Sequence, residues 1–206
     1  MNIRPFIVAS CAVILMHFSV SAQQDNGEPQ TLFGNGRPFQ KDHIGFFLAP
    51  TAGMTAIDGS GAALFNLRGG LSFADRFSLG AYYSVSLNQI RPQSETLTGI
   101  YMDYWSVGGF AEYTVFSDKL VHLTFPVFAG YGEVEMDNEE DEAGLGEANF
   151  FQIEPAAMVE VNLTKHVRFN IGTGYRIISP MTYRNFDQND ASGLTGYAGL
   201  KIGLFR

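Results

Sequence analysis

Apolar and small polar residues alternate along most of the chain between residues 43 and 205. In the segment 77–88, the odd positions are Phe, Leu, Ala, Tyr, Val and Leu, whereas the even positions are Ser, Gly, Tyr, Ser, Ser and Asn. Because successive side chains of a strand point to opposite faces, such a segment has one apolar face and one small, polar face. Similar segments recur and predict strands at 43–57, 61–73, 77–90, 100–116, 121–135, 149–163, 167–180 and 193–205.

The connections between these segments differ in length. Three are tight, at 74–76, 117–119 and 164–166, and they alternate with the short 58–60 and with longer polar connections at 91–99, 136–148 and 181–192. Short periplasmic turns and longer outer loops are typical of outer-membrane barrels. We therefore predict an all-β fold, an eight-stranded antiparallel up-and-down transmembrane β-barrel. An even number of strands would leave both termini in the periplasm.

Residues 1–22 have the features of a cleavable signal peptide. Arg4 supplies a positive start, 6–20 is the apolar stretch, and small residues precede a cleavage site after Ala22. The stretch is shorter than the ~20 residues that a membrane-spanning helix needs. Lipoprotein processing at Cys11 is the alternative, but the apolar run continues well past that cysteine. Cleavage after Ala22 would remove the only cysteine and with it any disulfide or cysteine chemistry.

The remaining chain divides into a polar segment at 23–42, rich in turn-forming residues, and the strand region at 43–206. We expect a flexible periplasmic leader followed by the barrel. A soluble barrel is the competing fold, but its outer face would need charges, whereas the polar positions here are mostly Gly, Ser, Asn and Thr. Such small residues suit a narrow lumen. The predicted location is therefore the outer membrane of a Gram-negative cell envelope, with outer-membrane lipid, lipopolysaccharide and the barrel-assembly machinery as partners.

The formal net charge of −8 has one source in the sequence. Eight acidic residues occur in the segment 133–147 with no basic residue between them, and the rest of the chain holds 13 acidic and 13 basic residues. Nucleic-acid binding requires a basic surface, so the composition argues against a nucleic-acid partner.

The same acidic segment raises the question of a metal site. Asp137, Glu139 and Asp141 alternate as calcium ligands would. The EF-hand pattern, however, requires Gly at its sixth position and Glu at its twelfth, where this chain has Glu142 and Ala148. We therefore expect a solvated acidic loop and no metal cofactor, with loose binding of divalent cations at this loop as the alternative.

The most distinctive part of the sequence is the region of the sixth and seventh segments, together with 121–127. It resembles a family of small outer-membrane β-barrel proteins of the Bacteroidota type. The departures are Ala156, where a glycine is usual, and a C-terminus that ends on Arg206 and not on an aromatic residue. The resemblance implies an outer-membrane barrel and brings no established activity. The residues that carry it are Glu154, Pro155, Glu160, Asn162, Thr164, Lys165, Arg168, Gly172, Gly174, Tyr175 and Arg176.

Charged residues on the polar face of the strands predict an ion-pair network inside the barrel. If the sixth and seventh segments pair around the turn 164–166, Glu154 lies opposite Arg176 and Glu160 opposite Asn170. Charges in a narrow lumen need partners because burying an isolated charge costs several kcal/mol. The predicted network consists of Arg68, Glu112, Glu154, Glu160, Arg168 and Arg176.

The histidines do not indicate an enzyme. His43, His122 and His166 fall near the predicted periplasmic ends of their strands, whereas barrel enzymes that modify lipid A act near the outer rim. An eight-stranded barrel is also too narrow for a general porin. We therefore expect a non-enzymatic outer-membrane barrel with a structural or loop-presenting role, as in adhesion or partner binding. The alternatives are a lipid A deacylase- or palmitoyltransferase-like enzyme, and a barrel subunit of a larger secretion or motility complex.

Overall fold

Eight long antiparallel strands close into one barrel in the computed structural model, which describes residues 44–94, 99–138, 146–183 and 185–205. The long strands are β1 (Ile44–Ile57), β2 (Ser60–Phe73), β3 (Phe77–Ser86), β4 (Ile100–Val115), β5 (Val121–Asn138), β6 (Glu147–Asn162), β7 (Val167–Ile178) and β10 (Gly193–Leu204), with the two-residue strands β8 (Thr182–Tyr183) and β9 (Phe186–Asp187) between β7 and β10. Around the barrel the long strands follow the order β1-β10-β7-β6-β5-β4-β3-β2, so each pairs with the long strands before and after it in the sequence and β10 closes on β1. The predicted fold class is confirmed.

The barrel has two different ends. We call the end that carries the tight connections β2–β3, β4–β5 and β6–β7 the turn end; β1 starts and β10 finishes there, with Phe46 opposite Leu204. The other end, which carries the longer connections, is called the loop end. At the loop end, β4, β5 and β6 have 16, 18 and 16 residues and extend beyond the 10-residue β3.

Exposure alternates along every barrel strand and separates an apolar outer face from a filled interior. In β1, Phe46 and Leu48 are 59% and 58% exposed, whereas the intervening Phe47 is 2% exposed. Because large apolar side chains cover the outside of the barrel, that surface is suited to hydrocarbon and not to water. Within the described residues, no helix is long and apolar enough to span a membrane.

Several boundaries differ from the sequence-based prediction. The third strand ends at Ser86 and not at residue 90, and Ile90 instead forms an isolated bridge with Met102. The seventh strand ends at Ile178, two residues before Pro180. The largest difference between prediction and structure lies in the connection 181–192. The sequence predicts a polar loop there, but the connection contains β8 (Thr182–Tyr183), β9 (Phe186–Asp187) and the short helix α1 (Gln188–Ala191). The predicted signal peptide at 1–22 and leader at 23–42 lie outside the described residues.

Two apolar clusters fill different levels of the interior. The first, at the loop end, joins strand residues such as Leu64, Met102 and Met136 to side chains from the connections. The second contains aromatic rings that form a chain of contacts across the lumen. Phe47 packs against Phe110, Phe110 against Phe128, and Phe128 against Tyr82, at centroid distances of 6.0, 5.9 and 5.3 Å. The lumen of the barrel is therefore filled by side chains and does not form a wide pore.

Candidate functional site

A connected set of buried charges crosses the lumen towards the turn end. Glu112 accepts hydrogen bonds from Arg68 Nη1 at 2.7 Å and from Lys201 Nζ at 2.5 Å. Lys201 Nζ also donates to Glu160 Oε2 at 3.1 Å, so this lysine links the two glutamates. Each of these side chains is no more than 4% exposed. We call the set Arg68, Asp75, Glu112, His122, Glu160, Arg168 and Lys201 the lumen charge network.

Glu160 connects the rest of this network. Its Oε1 lies 2.9 Å from His122 Nε2 and accepts from Arg168 Nη1 at 3.4 Å. Arg168 also reaches Asp75 of the β2–β3 turn, with Nη2 to Oδ2 at 3.5 Å, and its guanidinium lies 3.6 Å from the centroid of the Phe205 ring. The β2–β3 turn therefore places the Asp75 carboxylate at the turn end of the lumen. Asp75 and the preceding Ala74 adopt left-handed backbone angles, with φ of 52° and 51°, which is an uncommon conformation for residues other than glycine.

The network arises because each of its strand residues occupies an inward position on a different strand. Arg68 lies on β2, Glu112 on β4, His122 on β5, Glu160 on β6, and the last two, Arg168 and Lys201, on β7 and β10. Three basic side chains, Arg68, Arg168 and Lys201, face the three carboxylates of Asp75, Glu112 and Glu160, so their formal charges cancel. Since buried charges are tolerated only when they are paired and hydrogen-bonded, this balance explains how a narrow lumen accommodates so many of them.

Glu154 and Arg176 occupy opposed positions but make different contacts. The flanking pairs Gln152 with Ile178 and Ala156 with Gly174 fix the β6–β7 register that the sequence predicts. Within this register the expected direct ion pair is not formed, so that part of the predicted network is wrong. Glu154 accepts a hydrogen bond from the Tyr197 hydroxyl on β10. Gly174 makes room for the Glu154 carboxylate, because a Cβ at residue 174 would lie 2.6 Å from Glu154 Oε1.

Arg176 is directed towards the loop end. Its Nε donates to the main-chain oxygen of Ala191 at 2.8 Å, and its Nη2 lies 3.4 Å from Thr55 Oγ1. The guanidinium also lies 4.9 Å from the centroid of the Tyr104 ring, a cation–π contact. Arg176 does not pair with Glu154 because α1 offers the arginine a carbonyl acceptor, and strand pairing alone does not reveal this acceptor.

A small cavity lies between these groups. Its volume of about 20 Å³ is enough for about one water molecule. Glu154, Arg176 and Tyr197 line it together with Gln152, which accepts from the Tyr104 hydroxyl at 2.6 Å and donates to the Tyr82 hydroxyl at 3.0 Å. Apolar side chains such as Leu64, Phe128 and Met158 line much of the cavity, and it is too small for a lipid chain, a sugar or a peptide.

Side chains from the connections close the loop end. Ile90, Met181, Phe186 and Ala191, which we call the loop cap, are between 0% and 9% exposed and belong to the apolar cluster of that end. They cover strand residues including Leu64, Ile100, Met102, Val134 and Ile178. The mouth of the barrel is therefore sealed by apolar contact, whereas the buried ion pairs lie towards the turn end.

Hydrogen bonds tie the connections that carry the loop cap to each other. The main-chain amide of Asp58, in the β1–β2 turn, donates to the main-chain carbonyl oxygen of Asp190 in α1 at 2.8 Å. Its carboxylate accepts from the Ser94 amide at 2.7 Å, and its carbonyl oxygen accepts from the Gln93 amide at 3.4 Å. Asp58 thus joins three connections. A capping box between Asp187 and Asp190 holds α1 in place.

The structure brings together most of the residues that the sequence singled out. Arg68 pairs with Glu112, and Arg168 with Glu160, whereas Glu154 and Arg176 lie nearer the loop cap. The prediction omitted three members of the network. Lys201 and His122 occupy inward positions that strand alternation alone would have revealed, whereas Asp75 faces the lumen because of the turn conformation.

The structure describes only part of the proposed cation loop. Asp137 lies at the loop end of β5, opposite Tyr101, while Glu139 and Asp141 fall outside the described residues. Across β4, β5 and β6, the outward carboxylates of Asp103, Glu135 and Glu147 occupy directly opposed positions. No group of three or more His, Cys, Asp or Glu side chains in the described part of the chain has the geometry of a metal site.

Known structures share this architecture. Neisserial surface protein A superposes with a TM-score of 0.55 at 10% identity over 79% of this chain and 97% of its own. The outer membrane protein OprG from Pseudomonas aeruginosa gives a TM-score of 0.51 at 10% identity over 81% of this chain and 98% of its own. No family of known sequences and no curated protein matches the chain. The structural similarity is one of fold, that of small outer-membrane barrels, and the resemblance to a Bacteroidota-type family stays a prediction.

Proposed function

We propose that the chain is an integral outer-membrane protein whose closed, non-enzymatic barrel holds its outer loops for binding to another envelope or surface partner. The observation that carries this proposal is the lumen. It is filled by a balanced charge network near the turn end and sealed by the loop cap at the other end. Because a lumen filled in this way offers no passage, the outer surface and the connections of the barrel are the parts that can carry its function.

The outer surface supports the membrane part of the proposal. Exposed apolar side chains surround the barrel, among them Leu71, Leu79, Val127, Ile171 and Ile177, each between 45% and 52% exposed. In water such a surface would be an aggregation hazard, whereas in lipid it is the expected exterior. With the turn end in the periplasm, as short turns favour, both ends of the barrel region are periplasmic and the loop cap faces outward.

The connections support the loop-presenting part. Asp58 links three of them through main-chain and side-chain hydrogen bonds, so the described parts of these three connections are held together before any partner arrives. A preorganised surface loses less conformational entropy on binding than a flexible one does.

The lipid-modifying enzyme is the main alternative, and the histidine contacts argue against it. His122 is bound to Glu160 deep in the lumen, and His166 contacts the Gly203 carbonyl oxygen at the turn end. Neither lies at the outer rim, where a lipid A substrate would be within reach.

Incubation of the refolded protein with lipopolysaccharide, followed by mass spectrometry of the lipid, separates these classes. We expect unchanged acylation, and the control is the same lipid incubated without protein. Removal or transfer of an acyl chain would overturn the non-enzymatic proposal. In-cell crosslinking from cysteines placed at Gln89 and Asn189, both exposed at the loop end, should capture an outer partner, while a cysteine at the turn residue Ser117 provides the matched control.

A further inference from the structure

The charged residues of the described chain fall into three groups with different net charge. The lumen holds four acidic and four basic side chains, namely Asp75, Glu112, Glu154, Glu160, Arg68, Arg168, Arg176 and Lys201. The loop end carries eight acidic residues and one basic residue, which are Asp58, Asp103, Glu133, Glu135, Asp137, Glu147, Asp187, Asp190 and Arg91. The surface of the turn end reverses this sign.

Each tight turn carries an exposed basic side chain. Arg76 follows the β2–β3 turn, Lys119 lies in the β4–β5 turn, and Lys165 lies in the β6–β7 turn. The topology places all three turns at the same end of the barrel. The single exposed acid among them, Asp118, pairs with Lys119 at 3.2 Å, and both side chains are about half exposed or more, so this pair is weak. Arg76 and Lys165 form no ion pair with the described residues.

Exposed apolar side chains lie close in sequence to two of these bases, Arg76 and Lys119. Phe77 follows Arg76 and is 41% exposed, and Phe116, three residues before Lys119, is 61% exposed. Val121 and Tyr113 continue the same belt at 48% and 54% exposure. A ring of bases on the rim of an apolar belt matches the boundary between acyl chains and headgroups.

We propose that Arg76, Lys119 and Lys165 form a binding ring for anionic glycerophospholipid headgroups, such as phosphatidylglycerol, in the leaflet around the turn end. The inference rests on the proposed membrane location and adds the class of lipid. A phosphate offers each base a charged acceptor, and three bases spaced around one rim meet several headgroups at once. Among the described residues the loop end is predominantly acidic, so we expect the lipid preference to belong to the turn end.

Native mass spectrometry of the folded protein, titrated with equal amounts of phosphatidylglycerol and phosphatidylcholine in a non-ionic detergent, tests the ring. We expect the unmodified chain to bind phosphatidylglycerol at least about fivefold more tightly than phosphatidylcholine. A preference of this size corresponds to the contribution of one basic side chain at an anionic surface. The triple variant R76Q/K119Q/K165Q should bind the two lipids within about twofold. The charge-preserving R76K/K119R/K165R and the loop-end R91Q should keep the preference.

Flotation with phosphatidylcholine vesicles separates the two ways in which this inference fails. Protein that does not float contradicts the membrane location and the ring together. Protein that floats but shows no preference in the titration, or whose triple glutamine variant keeps the preference, overturns the ring alone. High salt should abolish the preference of the unmodified chain, which provides a test that needs no variant.

Discussion

The two halves of the lumen are filled by opposite kinds of chemistry. Near the turn end, Glu112, Glu160 and Lys201 hold a network in which the strands supply nearly every member. Near the loop end, the filling is apolar, and side chains such as Phe186 and Ile90 reach it from the connections. The charged half is therefore a property of the barrel itself, whereas the apolar half depends on how the loops fold onto it.

The difference predicts different responses to mutation. A charge network fails when one member is removed, because the remaining charges stay buried without partners. An apolar seal loses contact area and opens locally, because the loops that cover it are separate from the strand pairing. Arg176 is the link between the halves, since it lies on β7 and binds Ala191 of α1.

The largest effect is expected for Glu160→Gln. This change removes the charge that faces Lys201, Arg168 and His122 while keeping the shape of the side chain. We expect the free energy of unfolding to fall by about 3–5 kcal/mol, as measured by urea titration of the refolded barrel.

Asp118→Asn is the matched control for this experiment. It removes a carboxylate from the exposed pair with Lys119, and the loss should stay below about 1 kcal/mol. Equal effects of the two substitutions would show that the lumen charge network does not stabilise the fold.

Phe186→Ala tests the apolar half. The Phe186 ring is fully buried among Leu64, Met102 and Ile178, and its removal leaves a cavity under α1. We expect a loss of about 3 kcal/mol confined to the loop cap, so the amides of Asp58 and Ser192 should exchange about 100-fold faster. Leu87→Ala, at a residue that is 66% exposed in a neighbouring connection, should leave these rates unchanged. Acceleration spread evenly over β5 and β6 would contradict a separate seal.

A double-mutant cycle on Glu154 and Arg176 tests the link. Arg176→Leu should cost about 2 kcal/mol because the charged hydrogen bond to Ala191 is lost. Because no direct ion pair joins the two side chains, adding Glu154→Gln should give a coupling energy below about 1 kcal/mol. A coupling of about 2 kcal/mol or more would restore the direct pair that the sequence suggested.

The smallest effect is expected for Glu135→Gln on the outer face of the loop end. Glu135 lies opposite Asp103 on one side and Glu147 on the other. Like charges directly opposed across strands are destabilising, so this change should raise stability by about 0.2–1 kcal/mol at low salt. The gain should vanish at high salt, where exposed charges are screened, and a gain that survives high salt would point to a packing effect.

Strand alternation predicted the charged half of the lumen better than the apolar half. Period-two patterning places Arg68, Glu112 and Glu160 inside the barrel, and the same rule would have added Lys201. It also gave the β6–β7 register, in which Glu160 faces Asn170 and Asn162 faces Arg168. These features depend only on which face a residue occupies.

The loop cap depends on contacts that period-two patterning does not encode. Alternation predicts that Ile90 continues the third strand, whereas it forms an isolated antiparallel bridge with Met102 of the adjacent β4. The spacing of Asp187 and Asp190 did carry a helix-capping signal, but α1 spans only four residues and is too short to show periodicity. Since Arg176 takes its partner from α1, missing that helix produced the wrong partner for Glu154.

Single-channel recording of the refolded chain in a planar lipid bilayer tests the closed lumen most directly. With the charge network intact and the loop cap in place, we expect insertion without any stable, large conductance step. A refolded sixteen-stranded porin recorded in the same bilayer provides the positive control. A reproducible open level from the unmodified chain would contradict the account, because no such pore fits through a lumen packed in this way.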